Sequence, residues 1–343
     1  MPQLQSERVE VSEDMYEINR FFYEKGWSDG LPVIPPTEER VLNLLQGTQR
    51  KPDEVIGLIP PRWADATIEK IAINAVMAGC LPEHMPVIIT AVEAMVEEKF
   101  NLYGIQATTH PCGPLLIING PIRKQLGINC GYGALGPGTL ANAVIGRAIR
   151  LILINIGGAI PAKVDKATHG QPGKYTYVIG ENEEENPWEP LHLERGFRSE
   201  QSTVTVIAAE SPHNVNDHCS LSATGVLTTI AGTLAGQGNN NILYQLGEPL
   251  ILIGPEHAKT IAKDGYTKRD IKEFLLERAK IPKAAFSKEH QEHRFANFPE
   301  DALIFVASRP ENIIVVVAGG AGKHSMAIPT FGNTFSITKA IES

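Results

Sequence analysis

The chain has no Cys-x-x-Cys pair, no cluster of Lys and Arg, and no apolar run long enough to cross a bilayer, and each absence excludes a class of function. Its four cysteines, Cys80, Cys112, Cys130 and Cys219, are widely separated. That argues against a zinc ribbon or a thioredoxin-like motif, and for buried thiols in a reducing compartment. A nucleic-acid binder needs a basic face, whereas 31 Lys and Arg stand here against 39 Asp and Glu, a formal charge of −8. The acidity reads as solubility. The longest apolar runs, such as residues 151–156 and 313–318, have the length of strands rather than of membrane spans. The first residues, MPQLQSERVEVSEDMYEINRFF, lack the basic and apolar regions of a signal peptide. The expectation is a cytoplasmic protein without a membrane or nucleic-acid partner.

What is present is ordinary globular composition, with 343 residues, 43% of them hydrophobic and 20% charged. That suits two domains or one large two-lobed unit with ample core. Residues 1–50 form a helical and proline-rich N-terminal segment. A helix is expected over residues 11–25, carried by Tyr16, Ile18, Phe21 and Phe22. GWSDGLPVIPPT (26–37) follows, too rich in Pro and Gly for regular structure, and a helix resumes over 38–46.

Beyond it the chain reads as duplicated. PLLIINGP (114–121) matches PLILIGP (249–255), each an apolar strand with a Gly-Pro turn opening a helix. LILINIGGA (151–159) echoes IIVVVAGGA (313–321), and VIGLIPPR (55–62) more weakly echoes TVTVIAAE (203–210). Strand–Gly–helix units also recur in any α/β protein. The continuous apolar strands indicate sheets covered on both faces, and their alternation with helical stretches indicates parallel α/β units. The expected fold is therefore α/β: two related halves, mostly parallel sheets with helices on both faces. Residues 51–200 form the first half with a connecting segment, and residues 201–343 the second. Ligands then sit beyond the carboxyl ends of the strands.

The densest polar constellation is SPHNVNDH (211–218), directly after the strand 203–209. His213, Asn214, Asn216, Asp217 and His218 offer ligands for zinc, iron, nickel or manganese. They equally offer the His–carboxylate pairing of acid–base catalysis, or an Asn/Asp-rich helix cap. QATTHP (106–111) places His110 at a Pro-bounded loop end, as a ligand, a base or a strand-edge cap. Cys112 is a nucleophile candidate with nothing nearby to lower its pKa.

GGAGKHS (319–325) fails the P-loop pattern, because Val317 stands where that pattern needs Gly and His324 follows Lys323. Its backbone N–H groups can still form an anion nest, with Gly319, Gly320, Gly322 and Ser325 around a substrate, Lys323 as a point charge and His324 as a proton carrier. A tight turn is the plain alternative. The corresponding loop of the first half, 157–170, carries Lys163, Lys166 and His169. GYGALGPG (131–138) is glycine-rich but is not GxGxxG, and no nucleotide cofactor is expected. Arg62 can clamp a carboxylate bidentately. Glu183, Glu184 and Glu185 read as a solvated acidic surface, and His84 and His257 as surface or cap residues.

WSDGLPVIPPT, QATTHP, PHNVNDH and AGGAGKHS together resemble the motifs of a bacterial family defined by sequence rather than by reaction, whose members accompany small proteins bearing a Sec/Cys-Gly-Ser-Cys (UGSC) motif. The resemblance covers nearly the whole chain. It implies a thiol- or selenol-bearing partner, hence redox or sulfur-transfer chemistry supplied by another subunit, since this chain has no UGSC motif.

The residues themselves point first to an enzyme acting on a small polar or anionic substrate by metal-assisted hydrolysis or elimination. In that reading His110, His213, Asp217, Lys323 and His324 are catalytic, and His213, His218 and His110 bind a divalent transition metal. Arg62, Asn214, Asn216, Lys166 and His169 join the glycine loop in binding substrate. An oxidoreductase or sulfur-handling subunit working with the UGSC-type partner is the second reading, and a non-catalytic two-lobed ligand-binding protein the third. The oligomeric state stays open, a homo-oligomer included.

Overall fold

Strand β1 (Gly113–Asn119) is buried at every position, and the reason lies on its two faces. Side chains alternate across a strand. Leu115 and Ile117 enter one apolar cluster, while Leu116 and Ile118 enter another. In the computed structural model, which describes residues 4–342, β1 belongs to one of two four-stranded sheets. The first also holds β2 (Val178–Gly180) and β3 (Thr203–Ala209), and the second opens with β4 (His213–Asn216). Four later strands complete them: β5 (Leu250–Ile253), β6 (Ile314–Val317), β7 (His324–Ile328) and β8 (Ile337–Ala340).

The first sheet runs β8-β3-β1-β2 and the second β4-β7-β5-β6. In each, the last pair is parallel and the other two are antiparallel. The two sheets thus carry the same pattern of neighbours, position by position. They pack face to face: Leu115, Ile117, Ile179 and Ile207 meet Leu250, Leu252, Ile314 and Val316 in a shared cluster. The outer face of the first sheet is covered by α1 (Ile68–Ala78), α2 (Met85–Met95) and α3 (Leu140–Asn155). The outer face of the second is covered by α4 (Ala223–Leu234), α5 (Pro255–Lys263) and α6 (Lys268–Arg278). The result is four layers, helix–sheet–sheet–helix.

This arrangement bears out the α/β class and corrects its details. The sheets are mixed rather than mostly parallel, and helices cover one face of each instead of both. A strand becomes apolar throughout when both faces are buried, and a second sheet buries a face as completely as helices do. The first sheet also draws β3 and β8 from the 201–343 stretch, so the sheets do not divide at residue 200. Residues 151–156 are the last turns of α3, not a strand. Leu151, Ile152 and Leu153 are fully buried, and a helix buried all round has no amphipathic period to betray it. Residues 55–59 pair only with 64–67 in a small separate hairpin.

Near the amino terminus the helix expected over 11–25 begins at Met15, because Asp14 caps it by accepting from the amides of Tyr16 and Glu17. The acidic run is not simply solvated. Glu183 and Glu184 clamp the buried Arg123 guanidinium. Glu181 is fully buried and accepts from Asn119, Asn186 and the Leu191 amide. No helix among the described residues is long and apolar enough to cross a membrane.

The inter-sheet layer predicts a specific energetic cost. Leu115→Ala removes a fully buried side chain from it and should lose about 2–5 kcal/mol in urea unfolding. Leu221→Ala, at a side chain 83% exposed, should stay within about 0.5 kcal/mol of the parent.

Candidate functional site

Strands β2, β5 and β6 all end at the same edge of the two-sheet stack, where the Asn182 amide donates to the Val317 carbonyl. Two glycine loops meet there. Residues 131–136 and 318–322 bound a cavity of about 370 Å³ whose floor is Ile179, Leu252 and Met326, with His324 and Ser325 on its wall. The ring of Tyr132 lies on the backbone of Gly320, and a Cβ at 320 would come within 2.1 Å of it. A side chain at 320 would have to displace that ring. At Gly254 a Cβ would meet the His324 carbonyl oxygen at 2.1 Å, so the start of β7 passes directly over the end of β5.

β4 and β7 are antiparallel neighbours with His324 opposite Asn216 and Ala327 opposite His213. The chain leaves β4 through Asp217, and His218 then comes to face His324, with their Nε2 atoms 3.2 Å apart. The Nδ1 of His324 donates to Asn214 Oδ1 at 3.1 Å. That bond fixes the tautomer: neutral His324 presents a lone pair at Nε2, and His218 Nε2–H donates to it. Lys323 Nζ donates to the His218 carbonyl. Both imidazoles are exposed.

Asp217 holds this corner rather than taking part in it. Its carboxylate accepts from the Thr229 hydroxyl and from the amides of Cys219 and Ser220. Burial pushes the carboxyl up, but these hydrogen bonds outweigh it and hold the pKa at about 2. It is therefore the cap of the turn entering α4, not a catalytic acid or a ligand.

Ser325 is likewise spent inside. Its Oγ accepts from the Gly254 amide and donates to His257 Nδ1, whose Nε2–H then reaches the Asp217 carbonyl. His257 is buried, not a surface residue, and burial lowers its pKa so that it stays neutral. In the glycine loop the Gly319 amide goes to the Cys130 carbonyl and the Gly322 amide to Glu256 Oε1. The amides of Gly320 and Ala321 have no acceptor among the described residues.

The structure separates other residues that the sequence groups together. His213 stands three register positions from Asn216 on the edge strand β4, about 10 Å along it. His110 precedes the amino end of β1, the far edge of the stack. There its Nε2 donates to Glu210 Oε1 at 2.6 Å and its ring lies against Phe331. The set His110, His213 and His218 is not assembled, and no group of three or more His, Cys, Asp or Glu placed to hold a metal occurs among the described residues. Asn216 is exposed, beside the histidine pair.

The remaining predicted residues lie elsewhere. Arg62 donates to the Asn155 carbonyl and packs on Gly158. Lys166 donates to Ala162 O, and His169 lines a separate cavity. Cys112 is buried, and that burial pushes its thiol up to about 12, against a nucleophilic role.

Sequence reasoning missed His257, Glu256, Tyr132 and Glu210. Glu210 alone carried a signal, a carboxylate ending an otherwise apolar strand. Compared with known proteins, the chain matches no family model, no curated protein and no solved structure.

Asp217→Ala should cost about 0.5–2 kcal/mol at neutral pH, the range for a lost helix-entry cap. The folded pKa of Asp217 is depressed, so its stabilisation is complete above the unfolded value near 3.9. It disappears as pH falls toward about 2. Urea midpoints of wild type and variant should differ at pH 7, draw together below about pH 4 and converge only as pH approaches ~2.

Proposed function

We propose that the chain is an enzyme acting on a small polar or anionic substrate, by hydrolysis or elimination, with His218 and His324 as its proton carriers. The observation that carries the reading is the 3.2 Å Nε2–Nε2 contact at the wall of the glycine-lined cavity. With Asn214 holding Nδ1–H of His324, that residue's Nε2 is a base ready to accept a proton. His218, when protonated on both ring nitrogens, is the complementary acid through Nε2–H. A substrate entering between them replaces their mutual hydrogen bond with one bond to each. The free amides of Gly320 and Ala321 are donors for an anionic group, and Lys323 supplies positive charge beside His218.

The metal version of this reading rests on fewer donors. Two imidazoles fall short of the three protein ligands of a catalytic zinc site, and the Asp217 carboxylate is already committed to its turn. Acid–base chemistry by the histidine pair is therefore the form favoured here. The shared neighbour pattern of the two sheets, and the match of PLLIINGP on β1 with PLILIGP on β5, support an internal duplication. Of the three sequence echoes, only this one falls on corresponding strands.

A screen of the chain against small carboxylate- and phosphate-bearing esters and hydroxy acids, followed by His324→Gln and His218→Ala, tests the proposal. Each variant should reduce turnover about 10²–10⁴-fold, the usual weight of a general acid or base, while circular dichroism stays native. Plasma mass spectrometry on the same samples separates the versions. Near-stoichiometric metal that is lost in the double variant would replace the acid–base form by a metal-assisted one. Undiminished turnover in both variants would refute the assignment of this pair.

A further inference from the structure

The most unusual charge in the molecule lies at the other edge of the stack. Helix α3 carries Arg147 and Arg150 one turn apart. Arg147 faces outward to Asp29 of the WSDG segment, in a bidentate pair at 2.8 and 2.9 Å. Arg150 turns inward and is only 6% exposed. Its Nε donates to the Lys174 carbonyl at 2.6 Å. Its two terminal nitrogens make no hydrogen bond among the described residues. The nearest carboxylate oxygen, Asp165 Oδ2, is 3.8 Å from one of them. These nitrogens line a cavity of about 550 Å³ formed with the 161–175 loop.

The neighbouring carboxylates each have another partner. Asp165 is buried and already bound by Lys174 Nζ at 2.6–2.8 Å. Asp29 is paired with Arg147. Arg150 is left in a buried position with no carboxylate within hydrogen-bond distance. A guanidinium stays protonated in a protein, and an uncompensated buried charge costs several kcal/mol.

Gln171 Oε1 accepts from the Gly173 amide and the Ser211 hydroxyl, which fixes the loop that walls the cavity. Around Arg150 the walls combine the ion-paired Asp29, Asp165 and Lys174 and the ring of His169 with an apolar part: Ile154, Pro161, Ala162, Ala167, Pro172 and the ring of Tyr175.

We propose that this cavity is a second binding site, for the carboxylate of a small organic acid with an apolar body. The carboxylate would take two hydrogen bonds from the terminal nitrogens of Arg150, the planar fork matching the two oxygens. A single unpaired guanidinium fork matches the one charge of a carboxylate better than the two of an inorganic phosphate dianion. The apolar walls select carbon over further polar groups, and the volume falls within the range of small-molecule sites. The site is separate from the histidine pair. Its loop is tied to the amino end of β1 through Thr168 N–H on the Thr109 carbonyl, and β1 alone spans about 20 Å.

Isothermal titration of the full chain with benzoate, at constant ionic strength, tests this. Benzoate should bind one to one with a dissociation constant below about 1 mM. Benzamide and inorganic phosphate should bind at least about tenfold more weakly. Arg150→Gln should weaken benzoate about tenfold or more. It leaves the Asp165–Lys174 pair intact, so the fold has no new unpaired charge. Lys174→Met provides a second route, since it frees Asp165 to neutralise Arg150 and should weaken benzoate comparably. Absence of benzoate binding, equal binding of benzamide or phosphate, or unchanged affinity in whichever variant folds would overturn the proposal.

Discussion

Face-to-face burial of the two sheets is the constraint on which the rest of the molecule depends. Leu115 and Ile117 on β1 pack against Leu250 and Leu252 on β5, and the same strands turn Leu116, Ile118, Ile251 and Ile253 toward helices. A strand so enclosed cannot carry a polar side chain on either face without a partner. Fully buried polar residues on β1 and β3 accordingly sit at or near strand ends or find a bond: Asn119 reaches Glu181, and Thr205 reaches Thr338. Chemistry is excluded from the interior of the stack and displaced to its two edges.

The two edges then differ because their loops differ. At the carboxyl ends of β2, β5 and β6, glycines let two backbones approach closely and leave amides free. The charged residues there are already committed: Glu183 and Glu184 to Arg123, and Glu256 to a loop amide. At the amino end of β1 the loop 161–175 instead folds charged side chains inward. Asp165, Lys174 and Arg150 are all largely buried around one cavity. An anion is drawn to the first edge by backbone dipoles and to the second by a formal charge, which in a low-dielectric setting acts more strongly.

Burial was legible in the sequence, and what covered each face was not. The runs LLII at 115–118 and LILI at 250–253 announced strands covered twice over, and they are. The same pattern is produced by helices or by a second sheet, so the sandwich itself left no trace in the periodicity. Residues 151–156 show the converse limit: an apolar run inside a buried helix has the composition of a strand. At the site, SPHNVNDH and GGAGKHS read as separate polar loops, and the structure brings His218 and His324 together because β4 and β7 pair. His110 and His213 carry equal interest as letters, but pairing register and strand direction keep them apart. Arg150 was invisible because a basic residue in a helix reads as solvent-facing. Only the neighbours from 165 and 174, distant along the chain, turn it into a buried charge.

The histidine pair owes its geometry to a chain of hydrogen bonds that begins in the cavity wall and runs behind it. Asp217 ties its own turn through Thr229, Ser220 and Cys219, and its backbone N–H donates to the Lys323 carbonyl. Its carbonyl accepts from His257, which accepts a hydrogen bond from Ser325, which in turn accepts from Gly254. Burial lowers the His257 pKa and favours this neutral form, with the proton on Nε2. It runs from the end of β5, through the start of β7, to the end of β4. The residues bearing the two imidazoles, 218 and 324, each follow a locked neighbour: Asp217 in one case and Lys323, whose carbonyl Asp217 holds, in the other. Two exposed rings would otherwise sample several rotamers, at a cost in entropy each time they met. Locking their backbones on both sides, and holding one ring through Asn214, makes a facing pair of imidazoles a property of the fold rather than a chance encounter on its surface.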